Sequence, residues 1–161
     1  VNSVEKKQLN EQLTFARFSQ RLGMAPAWLE VSSRQPPEPD LLCVHATDGP
    51  IAFELVSLTD HQIAERHAVG ADVTRGDVDI HDPSEEIVRK KLKRGYSTPA
   101  RHIELLIYTD GHISTPDEII IPTIRPLFDQ YSHPFTRIWF MGEHETGCLW
   151  DRTAKSHRLR G

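Results

Sequence analysis

The chain has 161 residues, 38% hydrophobic and 26% charged, with a formal net charge of −4. That is the length of one domain with a globular composition, and it excludes both a disordered chain and a whole-molecule basic field that would draw in nucleic acid. Two cysteines, Cys43 and Cys148, are too few for a disulfide scaffold and too isolated for a metal site.

Residues 3–22 predict an amphipathic helix, with Leu9, Leu13, Phe15, Ala16, Phe18 and Leu22 near helical spacing and Gly23 as its stop. Residues 34–39, RQPPEP, form a stiff extended lead-in, since consecutive prolines are foreign to a helix interior. A short apolar run at 41–46, the turn cluster Thr47-Asp48-Gly49-Pro50 and a second run at 51–58 predict an antiparallel hairpin. Thr59 and Asp60 can cap a helix reaching about His67. Residues 70–81, with Asp72, Asp77 and Asp79, read as a loop that lacks the spacing of a calcium-binding hand.

Asp82-Pro83-Ser84-Glu85 is a helix start with a capping-box pattern, and the helix runs to about Arg94. A third strand follows at 103–109. Residues 117–131 predict a helix interrupted by Pro122 and Pro126, with a short strand over the EIII run as the alternative. Residues 135–141 and 148–150 are a fourth and a fifth strand. Cys43 and Cys148 each lie in such an apolar run, which predicts buried, reduced thiols. Trp139, Phe140 and Trp150 fall in strands and read as core. No apolar run approaches the about 18 residues that span a bilayer, and residues 1–8 carry no signal-peptide core, so a cytoplasmic protein is expected. The order predicts one α/β domain over 1–152, a central mixed sheet of four to five strands flanked by helices. Residues 153–161 are a basic, flexible tail.

The chemistry-bearing residues converge on the hairpin. Pro39-Asp40 opens its first strand and Phe53-Glu54-Leu55-Val56 lies on its second, so Asp40 and Glu54 meet near one end of the sheet. Two such carboxylates, with the backbone carbonyl of Leu55, can hold Mg²⁺ or Mn²⁺, hard cations that prefer oxygen. An ion there can activate water and stabilise charge on a phosphodiester oxygen.

Pro39-Asp40, a hairpin, and then Glu54-Leu55-Val56 after an apolar residue resemble the PD-(D/E)xK signature of the restriction-endonuclease-like nucleases. The N-terminal helix and the order of elements through Thr109 are similar to that fold as well. The resemblance implies a restriction-endonuclease-like core, metal ligation by Asp40 and Glu54, and hydrolysis of phosphodiester bonds in DNA. It also implies an acidic residue from the first helix at the metal, for which Glu5 and Glu11 both qualify; a solvated helix face is the plain alternative for each. The motif lysine is absent, because Val56 occupies its position.

Helix 84–94 offers a replacement. Ile87, Val88, Leu92 and Tyr96 define an apolar arc at helical spacing, and Lys91 falls within it. A lysine facing inward needs a carboxylate, and Asp40 or Glu54 can supply one. Lys91 then takes the missing lysine's place; alternatively it sits at the border of the arc and reaches water.

The basic block Arg89, Lys90, Lys91, Lys93 and Arg94, with Arg101 and His102, either follows a phosphate backbone or is a solvated face. His61 lies close enough in sequence to the second strand to reach the metal end. Glu143-His144-Glu145 lacks the second histidine of a zinc-protease helix. Two functional classes therefore stand: a Mg²⁺-dependent nuclease using Asp40, Glu54 and Lys91, and a catalytically silent nuclease-like domain that binds a partner or forms a homodimer. An unrelated α/β domain, in which Asp40 merely follows a proline turn, is a third.

Overall fold

A computed structural model describes residues 2–59, 83–111 and 113–154. All but Thr59 of the expected helix at 59–67, with His61, the loop at 70–81, Asp82 and most of the tail lie outside those residues.

The first helix, α1 (Ser3–Arg21), begins where the Asn2 side chain accepts the Glu5 N–H at 2.8 Å. It buries Glu11, Thr14, Phe15, Phe18 and Ser19. Leu9 and Leu13, read from spacing as core, are about 60% exposed; they lie on the opposite side of the helix from Phe15 and Phe18. Behind Gly23 and a short 3-10 turn comes a strand that the sequence pattern did not reveal, β1 (Trp28–Ser33). Its alternation is weak because it lies at the sheet edge, with only part of each residue covered.

The expected hairpin is β2 (Leu41–His45) and β3 (Gly49–Leu58), antiparallel, with Leu41 opposite Phe53 and His45 opposite Gly49. Gly49 has φ +74°, which a glycine adopts without steric cost at the end of the tight turn. Helix α2 (Ser84–Leu92) follows Pro83; Glu85 pairs with Arg89 one turn on, and the expected cap, Asp82, lies outside the described residues. Strand β4 (His102–Thr109) runs parallel to β3, and β5 (Phe135–Met141) runs parallel to β4. Between them lie α3 (Asp117–Ile124), a helix despite Pro122, and α4 (Leu127–Gln130), which Pro126 begins. The last strand, β6 (Thr146–Asp151), returns antiparallel to β5.

The sheet is open and mixed, with six strands in the order β1-β2-β3-β4-β5-β6, against an expectation of four to five. The central parallel strands are covered on both faces. On one face α1 packs Phe15 and Phe18 against Phe53, Leu106 and Tyr108. On the other, α2, α3 and α4 pack Val88, Leu92, Ile120 and Phe128 against Val56, Leu58, Leu105 and Ile107. Cys43 is buried as expected, but Cys148 is exposed, because β6 is an edge strand. Arg152, at the end of the domain, donates to the backbone carbonyls of His133 and Phe135. Among the described residues no helix is long and apolar enough to cross a membrane.

Candidate functional site

The site forms where the sheet forks. Pairing between β2 and β3 stops at Leu41 and Phe53, while β3 continues to Leu58. The edge of β3 beyond Phe53 therefore has no β2 partner. Asp40 fills the first step of that gap. Its carboxylate Oδ2 accepts the Leu55 N–H at 2.9 Å, and its own N–H donates to Glu54 Oε1 at 3.1 Å. In an extended residue the N–H and C=O point to the same side, so the Leu55 carbonyl faces the same open edge as Asp40. The approach to Asp40 is pinned twice: Arg34 N–H donates to the Asp40 carbonyl at 2.9 Å, and Ser97 N–H, beyond α2, donates to the Pro37 carbonyl at 3.0 Å.

Glu54 and Val56 point to the α2 side of the sheet, where Val56 joins the core. Helix α2 is anchored on that core by Val88 and Leu92. The anchoring brings Lys91 to Glu54, with Nζ donating to Oε2 at 2.8 Å. Tyr96 Oη donates to the same oxygen at 2.9 Å, and Arg94 Nη1 stands 3.9 Å away. A lysine at position 56 would share this face with Glu54; here the ammonium arrives from the neighbouring helix.

From the other side of the sheet α1 contributes Glu11. It is buried, which corrects the solvated-face reading, whereas Glu5 is exposed in the first turn. Glu11, Asp40, Glu54, Leu55 and Lys91 line one cleft of about 550 Å³.

Burial governs the electrostatics. It raises the pKa of Asp40, against the lowering effect of the Leu55 N–H, and the charge of Glu11 raises it further. It also raises that of Glu54, with help from Asp40, while Lys91 opposes the shift. The Tyr96 phenol is pushed up by burial and then by the Glu54 charge, so it remains a hydrogen-bond donor.

Among the described residues no three His, Cys, Asp or Glu side chains form a ready metal cage. A Mg²⁺ site needs only one or two carboxylates and keeps several waters. Asp40 and the Leu55 carbonyl face one open edge, and the donors are all oxygen. The crowded carboxylates also carry repulsion that a divalent cation would offset, so this set fits a hard cation.

The structure thus gathers Asp40, Glu54, Leu55 and Lys91. It adds Tyr96, which the sequence pattern assigned only to an apolar arc; its ring does pack on Phe135, and nothing in the spacing marks its hydroxyl. It divides the basic block. Arg89 pairs with Glu85, Lys90 with Glu86 and Lys91 with Glu54. Arg101 and His102 line a separate cavity of about 640 Å³ with Glu104 and Arg137. Phe140 is a core residue, and Trp139 is half-buried against the core, with its Nε1 donating to the buried Glu104 at 2.8 Å. No family model, no curated protein and no solved structure matches this chain.

Proposed function

We propose that this chain is a divalent-metal-dependent hydrolase of phosphodiester bonds in DNA, built on a restriction-endonuclease-like core of the PD-(D/E)xK type. The observation that carries the reading is the Lys91–Glu54 contact of 2.8 Å at the fork that holds Asp40. It supplies an ammonium beside the carboxylate pair although Val56 stands at the motif position.

Asp40, the Leu55 carbonyl and Glu54, with Glu11 behind them, would hold Mg²⁺ or Mn²⁺. When bound, such an ion lowers the pKa of water and stabilises charge on a phosphoryl oxygen. The chain's own groups do the rest. Lys91 offers an ammonium N–H to a phosphoryl oxygen or to the attacking water, and it is held in place by Glu54, whose Oε2 Tyr96 also binds. Hydrolysis adds hydroxide to phosphorus and a proton to the departing oxygen.

A catalytically silent binding domain has its own support. Glu54 already accepts from the Asp40 N–H through one oxygen and from Lys91 and Tyr96 through the other, a closed network that can serve structure alone.

Calorimetric titration of Mg²⁺ and Mn²⁺ into the wild type and into an Asp40→Asn, Glu54→Gln variant separates the two readings. Saturable binding lost in the variant, together with metal-dependent cleavage of DNA, is the expected result. No binding to the folded wild type at millimolar metal sinks the hydrolase and leaves the silent domain.

A further inference from the structure

The reacting groups lie at the bottom of a cleft and not on an exposed face. Glu54 is 2% exposed, Asp40 is half-buried, and the Lys91 side chain is 22% exposed. The cleft separates α1 from α2, which cover opposite faces of the sheet. One wall carries Lys7 from α1, the turn before Asp40 carries Arg34, and the other wall carries Arg94 just beyond α2. All three are exposed. Glu38, which lines the same cleft, pairs with Arg34 at 3.0 Å, so acids form the floor, and of the three rim cations Lys7 and Arg94 are the ones outside that pair.

That layout discriminates between forms of nucleic acid. A duplex is stiff over about 50 nm, so it would rest across the rim cations and keep its phosphates above the floor. To bring a phosphate down, a duplex must unpair and unstack locally, at a cost of a few kcal/mol that a single strand does not bear. A single strand can bend within the cleft while its neighbouring phosphates contact Lys7 on one wall and Arg94 on the other.

Resting on the hydrolase reading, we infer that the substrate is single-stranded DNA, as a free strand, an overhang or a gap. The floor of the cleft performs hydrolysis, and the rim pair Lys7 and Arg94 selects the flexible backbone.

The test uses the full chain and labelled DNA of one sequence, presented as a single strand, a blunt duplex and a duplex with an overhang. Bis(p-nitrophenyl) phosphate serves as a small diester. With Mg²⁺, the single strand and the overhang should be cut about 10- to 100-fold faster than the blunt duplex. Without metal, anisotropy should show the single strand bound more tightly. A Lys7→Ala, Arg94→Ala variant should weaken that binding, with a salt slope shallower by about 1.4 for two lost phosphate contacts. A blunt duplex cut or bound as well as the single strand overturns the inference; if the small diester is still hydrolysed, the hydrolase reading survives. Selective binding of the single strand with no cleavage of any substrate gives the converse: the hydrolase falls and the preference of the cleft stands.

Discussion

Lys91 Nζ lies 2.8 Å from Glu54 Oε2 across 37 residues of sequence, and it offsets the charge of a carboxylate that is 2% exposed. Lys91→Met removes that ammonium and leaves Glu54 Oε2 with the Tyr96 hydroxyl and the more distant Arg94, while Oε1 keeps the Asp40 N–H. Losing one partner of a charged, buried hydrogen bond costs about 1–3 kcal/mol. Because Lys91 is itself partly solvated, the lower end applies, about 1 kcal/mol. A urea midpoint should fall accordingly. If the chain is the proposed hydrolase, its cleavage rate should fall about 10²-fold, as when one electrostatic donor is deleted from an active site. Undiminished hydrolysis in a folded variant removes Lys91 from the chemistry.

Tyr96→Phe isolates the second donor to the same oxygen. The ring keeps its contact with Phe135, at 5.9 Å between centroids, so packing is preserved and only the hydroxyl is lost. The expected cost is about 1–2 kcal/mol, read as a lower urea midpoint at constant slope. If stability is unchanged, the 2.9 Å contact contributes nothing net.

Much of this arrangement was legible in the sequence because it depends on local patterns. The turn at Gly49 sets a hairpin that places Asp40 beside Glu54, and the arc of Val88 and Leu92 turns Lys91 inward. What was not legible depends on tertiary placement. Strand β1 is an edge strand without alternation, so Trp28–Ser33 carries no periodic signal. Glu11 resembles any helix-surface glutamate until the helix is docked, and its burial comes from the neighbouring Thr14 and Phe15 packing onto the sheet. Leu9 and Leu13 mislead for the converse reason: an apolar residue in a helix is not obliged to be inside. The Tyr96 hydroxyl gains meaning only from a partner 42 residues away.

Glu104 carries a pH prediction independent of the cleft. Burial raises its pKa above the ordinary value of 4.5, while the Trp139 N–H and Arg137 act in the lowering direction. The folded state therefore holds the proton to higher pH than the unfolded chain does. Below pH 4.5 both states are protonated and the residue adds no pH dependence. As pH rises from there through the raised folded value, the unfolded state releases its proton first and stability falls. Glu104→Gln retains an acceptor for Trp139 and cannot ionise. Wild-type stability should therefore decline relative to the variant as pH rises through this window, as measured by denaturant unfolding at a series of pH values. A difference that stays flat, or grows in favour of the wild type, contradicts the assignment.

Asp117 and Gly142 should behave as one unit. The buried Asp117 carboxylate accepts N–H donors from the turn between β5 and β6: Glu143 at 3.2 Å, His144 at 2.7 Å and Glu145 at 2.9 Å. Removing it orphans these donors, and Asp117→Ala should cost about 2–4 kcal/mol. The carboxylate lies so close to Gly142 that a Cβ there would collide with it. Gly142→Ala must therefore displace Asp117 and lose the same hydrogen bonds, so it should also be strongly destabilising on its own. Once Asp117 is alanine, the obstructing atoms are gone and the added methyl has space. The double variant should thus be markedly more stable than the sum of the single losses predicts, with a coupling energy of about 1–3 kcal/mol in a double-mutant cycle. Strict additivity would mean that the turn is held by something other than the Asp117 carboxylate.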